Sequence, residues 1–398
     1  MNNLRTPFLA ILTIASMLAA AARPLTAATR PAGAILYDQV LNGQGSYPDL
    51  ITAEATHQYT SEGLQLTGAG ELVRLNRYYS LARRSVRYHL KFESDTKAIF
   101  QSDKGDFKVW VDVPGKTISM GTDPVLSKSV DFLDSSHEYL LEIERDYQTS
   151  RVRITDLTVR ASVELEATMD GPGGYGKGKV QPGYMVGLQH DYYCFGLTEG
   201  TSLTVKRITV LSPKRKVTML LYGDSITEPE GYFPTADFPG SWTQLIIKHL
   251  KGRAISSGRG GCTIREVLER IKNELPYIKT KYVMVTIGTN GGNTEENLSE
   301  LVEYIQSQGV IPILNNIPSN ESGTQVAVNQ MIEKVRQKYH IKGCKFDLAT
   351  SLDNDGNKVD TTTMWLEDYS WGTIYHHPNL KGSRQMFQRT LVDVPEIY

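Results

Sequence analysis

The stretch 217–227, VTMLLYGDSIT, decides the fold of the C-terminal half of this chain. Its first six residues form a nearly continuous apolar run, which is typical of a strand buried on both faces of a parallel sheet. The run ends at Gly223, so Ser225 follows the strand directly. Ligands of parallel α/β sheets bind outside the carboxyl ends of the strands, and Ser225 is therefore a candidate nucleophile. A turn whose serine only caps the next helix is the alternative interpretation.

The residues after this stretch alternate between strand-like and helix-like patterns. Strands are predicted at residues 254–257, 282–287, 310–314 and 345–348, and helices at 264–273, 295–308 and 326–339. Thr263 and Glu266 form a capping box before the first of these helices. Such alternation predicts a parallel sheet that is covered by helices on both faces.

Three further blocks stand beside predicted elements of this domain. Residues 258–263, GRGGCT, follow the second strand and open a helix, so their N–H groups point at the same sheet edge as Ser225. Gly288, Thr289 and Asn290 follow the third strand, and His377 lies near the C-terminus, just ahead of a further helix predicted there. Taken singly, the glycines form a turn, Asn290 caps a helix and His377 is a surface residue. All four blocks occur in this order, each beside the appropriate predicted element, and this combination favours a functional site over the separate interpretations.

Together the blocks resemble those of the SGNH (GDSL-like) hydrolases, and the resemblance covers residues 216–398. It implies a three-layer α/β/α, flavodoxin-like fold and ester hydrolysis without a metal or cofactor. By position, Ser225 is then the nucleophile, and His377 is the general base and later the general acid toward the leaving alcohol. The oxyanion hole is then made by the backbone N–H groups of Ser225 and Gly261 and the side-chain amide of Asn290.

The sequence departs from the family pattern at two places. Most members have an Asp three residues before the His, whereas this chain has Ile374 there, or Thr373 if His376 is aligned instead. The family's G-x-N-D block also has Gly291 in its last position. The acid of a triad orients the imidazole and stabilises the imidazolium, so its absence matters.

Three interpretations of the missing acid stay open. A backbone carbonyl orients His377 in a Ser–His dyad, or an acid from elsewhere takes the place, with Asp368 and Glu367 nearest in sequence. In the third, the site is impaired and only binds. We expect His376 to be a substrate contact or a packed neighbour, and Cys262 to pack in the interior or line the pocket. Asp224 is expected to order the turn, and the aromatic segment 228–241 forms a pocket wall or packs inward.

The N-terminal half has a different periodicity. Phe107, Val109, Val111 and Val113 alternate with Lys108, Trp110 and Asp112, and similar runs recur between turn residues, which predicts an antiparallel β-sandwich. The pattern resembles concanavalin-like and carbohydrate-binding jelly rolls. We place this domain at residues 33–212, with a glycine-rich loop at 171–178 and a polar junction before the hydrolase-like domain at 216–398. Three aromatic residues either stack on sugars or make core and interdomain contacts: Trp110, Tyr192 and Tyr193.

Residues 1–27 have the pattern of a signal peptide. Arg5 precedes an apolar run at 8–22, and Ala27 ends a plausible cleavage site. A membrane anchor is the alternative, although the run is shorter than the roughly 20 residues that a span needs. We therefore expect a periplasmic or secreted protein with no membrane contact after cleavage. Three widely spaced cysteines, at 194, 262 and 344, are expected to be free thiols.

A net charge of −1 argues against nucleic acid or an anionic membrane as the main partner. Export, a sandwich module and an esterase-like domain together predict deacylation of an extracellular glycan, with O-acetyl groups the expected substrate. Two alternatives are a catalytically impaired glycan-binding protein and an esterase or lipase that acts on other acyl esters. The sequence gives no prediction of the oligomeric state.

Overall fold

The computed structural model describes residues 33–53, 55–105, 107–121, 126–168, 191–369 and 372–398. The predicted signal peptide at 1–27 and the glycine-rich loop at 171–178 lie outside these residues. Within the described part of the chain, no helix is long and apolar enough to cross a membrane.

The N-terminal part is an antiparallel sandwich of two sheets. In chain order its strands are β1 (Ala34–Val40), β2 (Leu50–Ile51), β3 (His57–Thr60), β4 (Gly63–Leu66), β5 (Glu71–Tyr79), β6 (Arg83–Phe92), β7 (Lys97–Ser102), β8 (Lys108–Asp112), β9 (Thr117–Gly121), β10 (Leu126–Ser129), β11 (Glu138–Asp146), β12 (Thr149–Asp156), β13 (Ser162–Thr168), β14 (Asp191–Glu199) and β15 (Leu203–Ser212). One sheet has the order β13-β12-β11-β6-β15-β4-β3, with β1 also paired to β15. The other has the order β10-β9-β8-β7-β14-β5-β2.

Alternating side chains of the two sheets fill the space between them. Phe107, Val109, Val111 and Val113 are all buried, as their period of two predicts. Across the sandwich, the rings of Tyr88 and Phe100 lie 4.8 Å apart. The predicted all-β sandwich is therefore confirmed.

The C-terminal part is built on four parallel strands. They are β16 (Met219–Gly223), β17 (Ala254–Gly258), β18 (Tyr282–Thr286) and β19 (Ile311–Leu314), in the spatial order β17-β16-β18-β19. The helices are α1 (Trp242–His249), α2 (Ile264–Glu274), α3 (Glu295–Ser307), α4 (Gln325–Tyr339), α5 (Phe346–Thr350) and α6 (Leu380–Asp393). A hairpin of β20 (Glu367–Tyr369) and β21 (Gly372–Ile374) precedes α6.

Alternate residues of the central strand separate two helical layers. Leu220 and Tyr222 belong to the apolar cluster that contains α2, α3 and α4 residues. Met219 and Leu221 belong to the cluster that contains α1, α5 and α6 residues. The three-layer α/β/α fold is therefore confirmed, and β16 at its centre carries Ser225 at its carboxyl end.

The strand predicted at 345–348 is wrong, because these residues enter helix α5. The chain is extended slightly earlier, where the Leu314 N–H donates to the Lys342 carbonyl at 3.0 Å and the Asn316 N–H to the Cys344 carbonyl at 2.9 Å. Phe346 and Ala349 then both pack into the apolar layer beside α6. That spacing of three is helical, and a short apolar run could not distinguish the two structures.

Candidate active site

Ser225 begins a short 3₁₀ turn, Ser225–Thr227, directly after β16. The Asp224 carboxylate accepts the Ile226 N–H at 3.0 Å and so orders the turn, and burial raises the pKa of Asp224 to about 6. The turn packs so closely that a Cβ at Gly223 would collide with the Thr286 carbonyl oxygen. The sheet edge therefore fixes the position of the Ser225 hydroxyl.

Ser225, His377 and Glu367 form a continuous hydrogen-bonded line. His377 Nε2 lies 2.8 Å from Ser225 Oγ, and His377 Nδ1 lies 2.6 Å from Glu367 Oε1. All three residues are buried, with exposed fractions of 6%, 3% and 3% respectively. A carboxylate only accepts hydrogen bonds, so the proton of a neutral imidazole sits on Nδ1 and leaves Nε2 free to accept the serine proton.

The hairpin explains how a carboxylate reaches His377 without an acid at position 374. Glu367 on β20 pairs directly with Ile374 on β21. Side chains of directly opposed residues share a face of the hairpin, so Glu367 and the residue at 374 project from the same face. Asp368 points elsewhere, since its carboxylate accepts the Thr373 hydroxyl at 2.9 Å and its side chain is exposed.

Further bonds attach the histidine segment to the chain that leads into the strand with Glu367. The Trp365 N–H donates to the His377 carbonyl at 2.8 Å. The Asn379 side chain donates to the carbonyls of Thr362 and Met364, at 3.0 Å each, while its oxygen caps α6. Asn379 therefore joins the helix start to the Glu367 segment, a role that sequence analysis did not assign.

Two rings pack against His377. Tyr232 stacks on it with a centroid distance of 4.1 Å, and His376 lies at the same distance in a tilted arrangement. Burial, followed by the charge of His377, lowers the pKa of His376 to about 3. His376 is therefore neutral at ordinary pH, with Nδ1 3.9 Å from Glu321, and is the packed neighbour that was one of its two predicted roles.

Two of the three proposed oxyanion residues, Gly261 and Asn290, lie on adjoining loops. Gly261 has a φ of 77° and is exposed, and a Cβ there would meet no atom within 4 Å, so open space adjoins this backbone. The Asn290 side chain donates to the carbonyl of Cys262 at 3.0 Å, which brings it beside the glycine turn. An amide nitrogen carries two protons, so one N–H of Asn290 remains for a ligand.

The aromatic segment after the nucleophile packs inward. Tyr232, Phe233 and Phe238 are buried in one cluster, against which Trp365 packs. Because Tyr232 also contacts His377, the segment supports the site from behind. The other sequence candidates lie in the interior: Cys262 is a buried thiol 3.0 Å from the Tyr78 hydroxyl, and Cys194 and Cys344 are also free and buried.

Among the described residues, ligand atoms of Glu367, His376 and His377 approach one another within 4.8 Å, which is close enough to hold a metal ion. Both ring nitrogens of His377 already face Ser225 and Glu367. A metal bound through His377 would have to break one of these hydrogen bonds. The donor set therefore fits the serine–histidine line better than a metal.

Residues 221–385 match the model of the GDSL-like lipase/acylhydrolase family. No curated protein matches the chain.

Among solved structures, a GDSL-like lipase from Bacteroides thetaiotaomicron is similar at 16% identity, covering 46% of this chain and 87% of that chain, with a TM-score of 0.35. A lipolytic protein of the G-D-S-L family from Desulfitobacterium hafniense is similar at 18% identity, over 44% of this chain and 98% of that chain, with a TM-score of 0.35. Arcelin-5, a lectin-like defense protein from Phaseolus vulgaris, is similar at 12% identity, over 44% of this chain and 97% of that chain, with a TM-score of 0.32. These identities are low and indicate no substrate for this chain.

Proposed function

We propose that this protein, whose residues 221–385 match the model of the GDSL-like lipase/acylhydrolase family, is a serine esterase that removes O-acetyl groups from a carbohydrate. The observation that carries the proposal is the hydrogen-bonded line from Ser225 through His377 to Glu367. The family supports hydrolysis of carboxylic esters. The acetyl group, the carbohydrate and the individual residue roles are parts of the proposal.

In the first half of the reaction, Ser225 Oγ attacks the ester carbonyl carbon while His377 Nε2 takes the hydroxyl proton. The tetrahedral intermediate collapses when the bond to the alcohol oxygen breaks, and His377 returns the proton to that oxygen. The acetyl group is then bound to Ser225. A water molecule repeats the sequence with His377 as base, which releases acetate and restores the serine.

The charge that develops on the carbonyl oxygen needs hydrogen-bond donors. We assign these to the backbone N–H groups of Ser225 and Gly261 and to the remaining N–H of Asn290. Loss of one such donor typically raises the barrier by about 2.7–4 kcal/mol. The open space beside Gly261 supports this assignment.

Glu367 supplies the third member of the line. Its carboxylate accepts the Nδ1 proton of His377, which keeps Nε2 unprotonated and stabilises the imidazolium that forms during attack. This bond favours the acid taken from elsewhere over a dyad that relies on a backbone carbonyl. It also argues against an impaired site, because a pure binding protein has no need for a buried and ordered Ser–His–Glu line.

Three features support a small acyl group on a sugar. Ser225 is only 6% exposed, and the aromatic residues around it are packed against one another instead of lining an open apolar channel. Two residues of the proposed oxyanion hole are exposed, and both offer polar groups: the backbone of Gly261 and the amide of Asn290. The predicted signal peptide and the sandwich module favour an extracellular polysaccharide as the substrate. Export itself remains a prediction from residues 1–27.

Hydrolysis of 4-nitrophenyl acetate by the purified protein tests the reaction, beside Ser225→Ala and His377→Ala variants. We expect turnover that both variants lose almost completely. A series of longer 4-nitrophenyl esters and acetate release from acetylated polysaccharides then test the substrate. Faster cleavage of octanoate than acetate would contradict the acetyl proposal, and an identical background rate for all three proteins on every ester would contradict the esterase proposal.

A further inference from the structure

Two turns of the sandwich contact the domain that carries the candidate active site. One is the link between β5 and β6, where the Ala82 N–H donates to the Ser256 carbonyl of β17 at 2.8 Å. The other is the tight link between β11 and β12, which contains Tyr147 with a φ of 53°. Together with the last two residues of β11, this second link forms residues 145–148, here named the sandwich hairpin.

Gln148 of the sandwich hairpin binds both ends of the loop behind His377. Its side-chain amide donates to the Glu230 carbonyl at 2.9 Å and to the Phe233 carbonyl at 2.6 Å. Between these two carbonyls lies Tyr232, whose ring stacks on His377. Gln148 is buried, with 5% of its surface exposed, so water cannot readily replace these bonds.

Arg145 of the same hairpin reaches the loop of the oxyanion hole through one carboxylate. Its guanidinium lies 3.5 Å from Glu228 Oε1, and the other oxygen of Glu228 accepts the Gly260 N–H at 2.7 Å. Gly260 immediately precedes Gly261. Arg145 and Glu228 are both nearly inaccessible. A buried charge that loses its partner is strongly unfavourable, so the pair constrains where Gly260 can lie.

We propose that Arg145 and Gln148 are positioning residues for ester hydrolysis, and that the sandwich hairpin is part of the framework of the active site. One side chain fixes the turn that contains Gly261, and the other fixes the ring on which His377 stacks. The inference rests on the proposed function. It gives the sandwich a role in the chemical step that is separate from any carbohydrate binding by its surface.

The competing interpretation is that these contacts only join the two domains. A matched control removes an interdomain hydrogen bond that touches neither loop: in Glu269→Ala, the acceptor of the Tyr192 hydroxyl at 2.9 Å is lost. If Arg145 and Gln148 position the active-site loops, Gln148→Leu and Arg145→Met should lower kcat while KM changes little. The reason is that misplacement of reacting groups by about 1 Å can cost about 10²-fold in rate. Arg145→Lys keeps the charge and should recover part of the loss.

The test measures kcat and KM of the full-length variants on 4-nitrophenyl acetate, together with amide hydrogen exchange of the peptides that contain residues 228–233 and 258–263. We expect Gln148→Leu to lower kcat at least about tenfold with KM within about twofold, and both peptides to exchange faster, whereas Glu269→Ala matches wild type in all three measurements. If Arg145→Met does not fold, Gln148→Leu and Arg145→Lys carry the comparison.

The outcomes separate the two proposals. If wild type shows Ser225-dependent hydrolysis but the hairpin variants behave like Glu269→Ala in kcat and in exchange, the positioning proposal is overturned and the esterase stands. If wild type hydrolyses no ester, the proposed function fails. The exchange rates then decide alone whether the hairpin holds the two loops, and unchanged rates would overturn that claim as well.

Discussion

The two sides of the Ser225–His377 bond are built in different ways. Ser225 stands at the end of β16, which is flanked by β17 and β18 and covered by both helical layers. His377 stands after a two-stranded hairpin of three residues per strand, attached to its surroundings by a few side-chain and backbone bonds. The serine position is thus part of the sheet, whereas the histidine position depends on a small local unit.

Substitutions on the two sides should therefore affect different measured quantities. Changes in the backbone that supports Ser225 disturb the sheet and should be seen in stability. Changes on the histidine side leave the sheet intact and should be seen in the rate.

The largest effect is expected for Glu367→Gln. The amide can donate to Nδ1 as well as accept from it, so the wrong imidazole tautomer becomes available, and kcat should fall about 10³- to 10⁴-fold. Steady-state kinetics and a thermal melt on the same samples measure rate and stability together. Asp368→Asn is the matched control, because its carboxylate binds Thr373, and it should keep wild-type kinetics. A loss of activity in both variants would refute the assignment of Glu367.

Gly223→Ala should act on stability instead. The added Cβ would meet the Thr286 carbonyl oxygen on the neighbouring strand, and backbone in a sheet cannot move aside cheaply. We expect the free energy of unfolding to fall by about 3 kcal/mol, at the upper end of overpacking effects. Urea denaturation measures this. Gly45→Ala is the control, since its Cβ would lie 3.6 Å from Tyr47 in ordinary contact; equal losses in both variants would contradict the contrast.

Tyr232→Leu should have a smaller effect, confined to the histidine side. The variant keeps an apolar side chain but loses the ring that stacks on His377, so His377 samples other orientations. We expect kcat to fall about tenfold, because aromatic stacking is worth roughly 0.5–1.5 kcal/mol beyond burial. Kinetics beside Phe238→Leu, which changes the same cluster away from His377, provides the comparison. The prediction is refuted if Phe238→Leu is the slower enzyme.

The smallest effect concerns the pH dependence of stability. Burial raises the pKa of Glu230 from 4.5 to about 7, so between these values the native state holds a proton that the unfolded state has lost. The contribution of Glu230 to the free energy of unfolding is therefore complete below about pH 4.5 and is lost as the pH rises to about 7. Glu230→Gln should flatten that decline in urea titrations at several pH values. Part of the slope should remain, since the raised pKa of Asp224 acts in an overlapping range. Unchanged slopes would contradict the account of Glu230.

The same contrast explains what the sequence could and could not predict. Strand ends and following turns are local signals, so the pattern around 217–227 and the later blocks place Ser225 and His377 at one edge, where the 2.8 Å contact is found. Their catalytic roles stay proposals. Sequence could name Glu367 and Asp368 but not choose between them. Adjacent strand residues point to opposite faces, and only the hairpin register puts one of them opposite Ile374.

The contacts between the two halves could not be predicted from the sequence, because the residues that make them lie far apart along the chain. Arg145 and Glu228 are separated by 83 positions, and no local pattern indicates that a sandwich hairpin meets a loop after the nucleophile. Tyr192 and Tyr193 were left between sugar stacking and interior contacts. Tyr192 binds Glu269 of α2 and Tyr193 is buried in the sandwich, so both make interior or interdomain contacts.

The most direct test of the Ser225–His377–Glu367 line moves the acid to the other strand. Because position 374 is opposite Glu367, an aspartate there should reach the same side of His377. We would compare kcat/KM of wild type, Glu367→Ala and Glu367→Ala/Ile374→Asp on 4-nitrophenyl acetate. The account predicts a loss of about 10³-fold in the single variant and a recovery of at least about tenfold in the double variant. A single variant within about threefold of wild type would contradict it, because His377 would then work without a carboxylate.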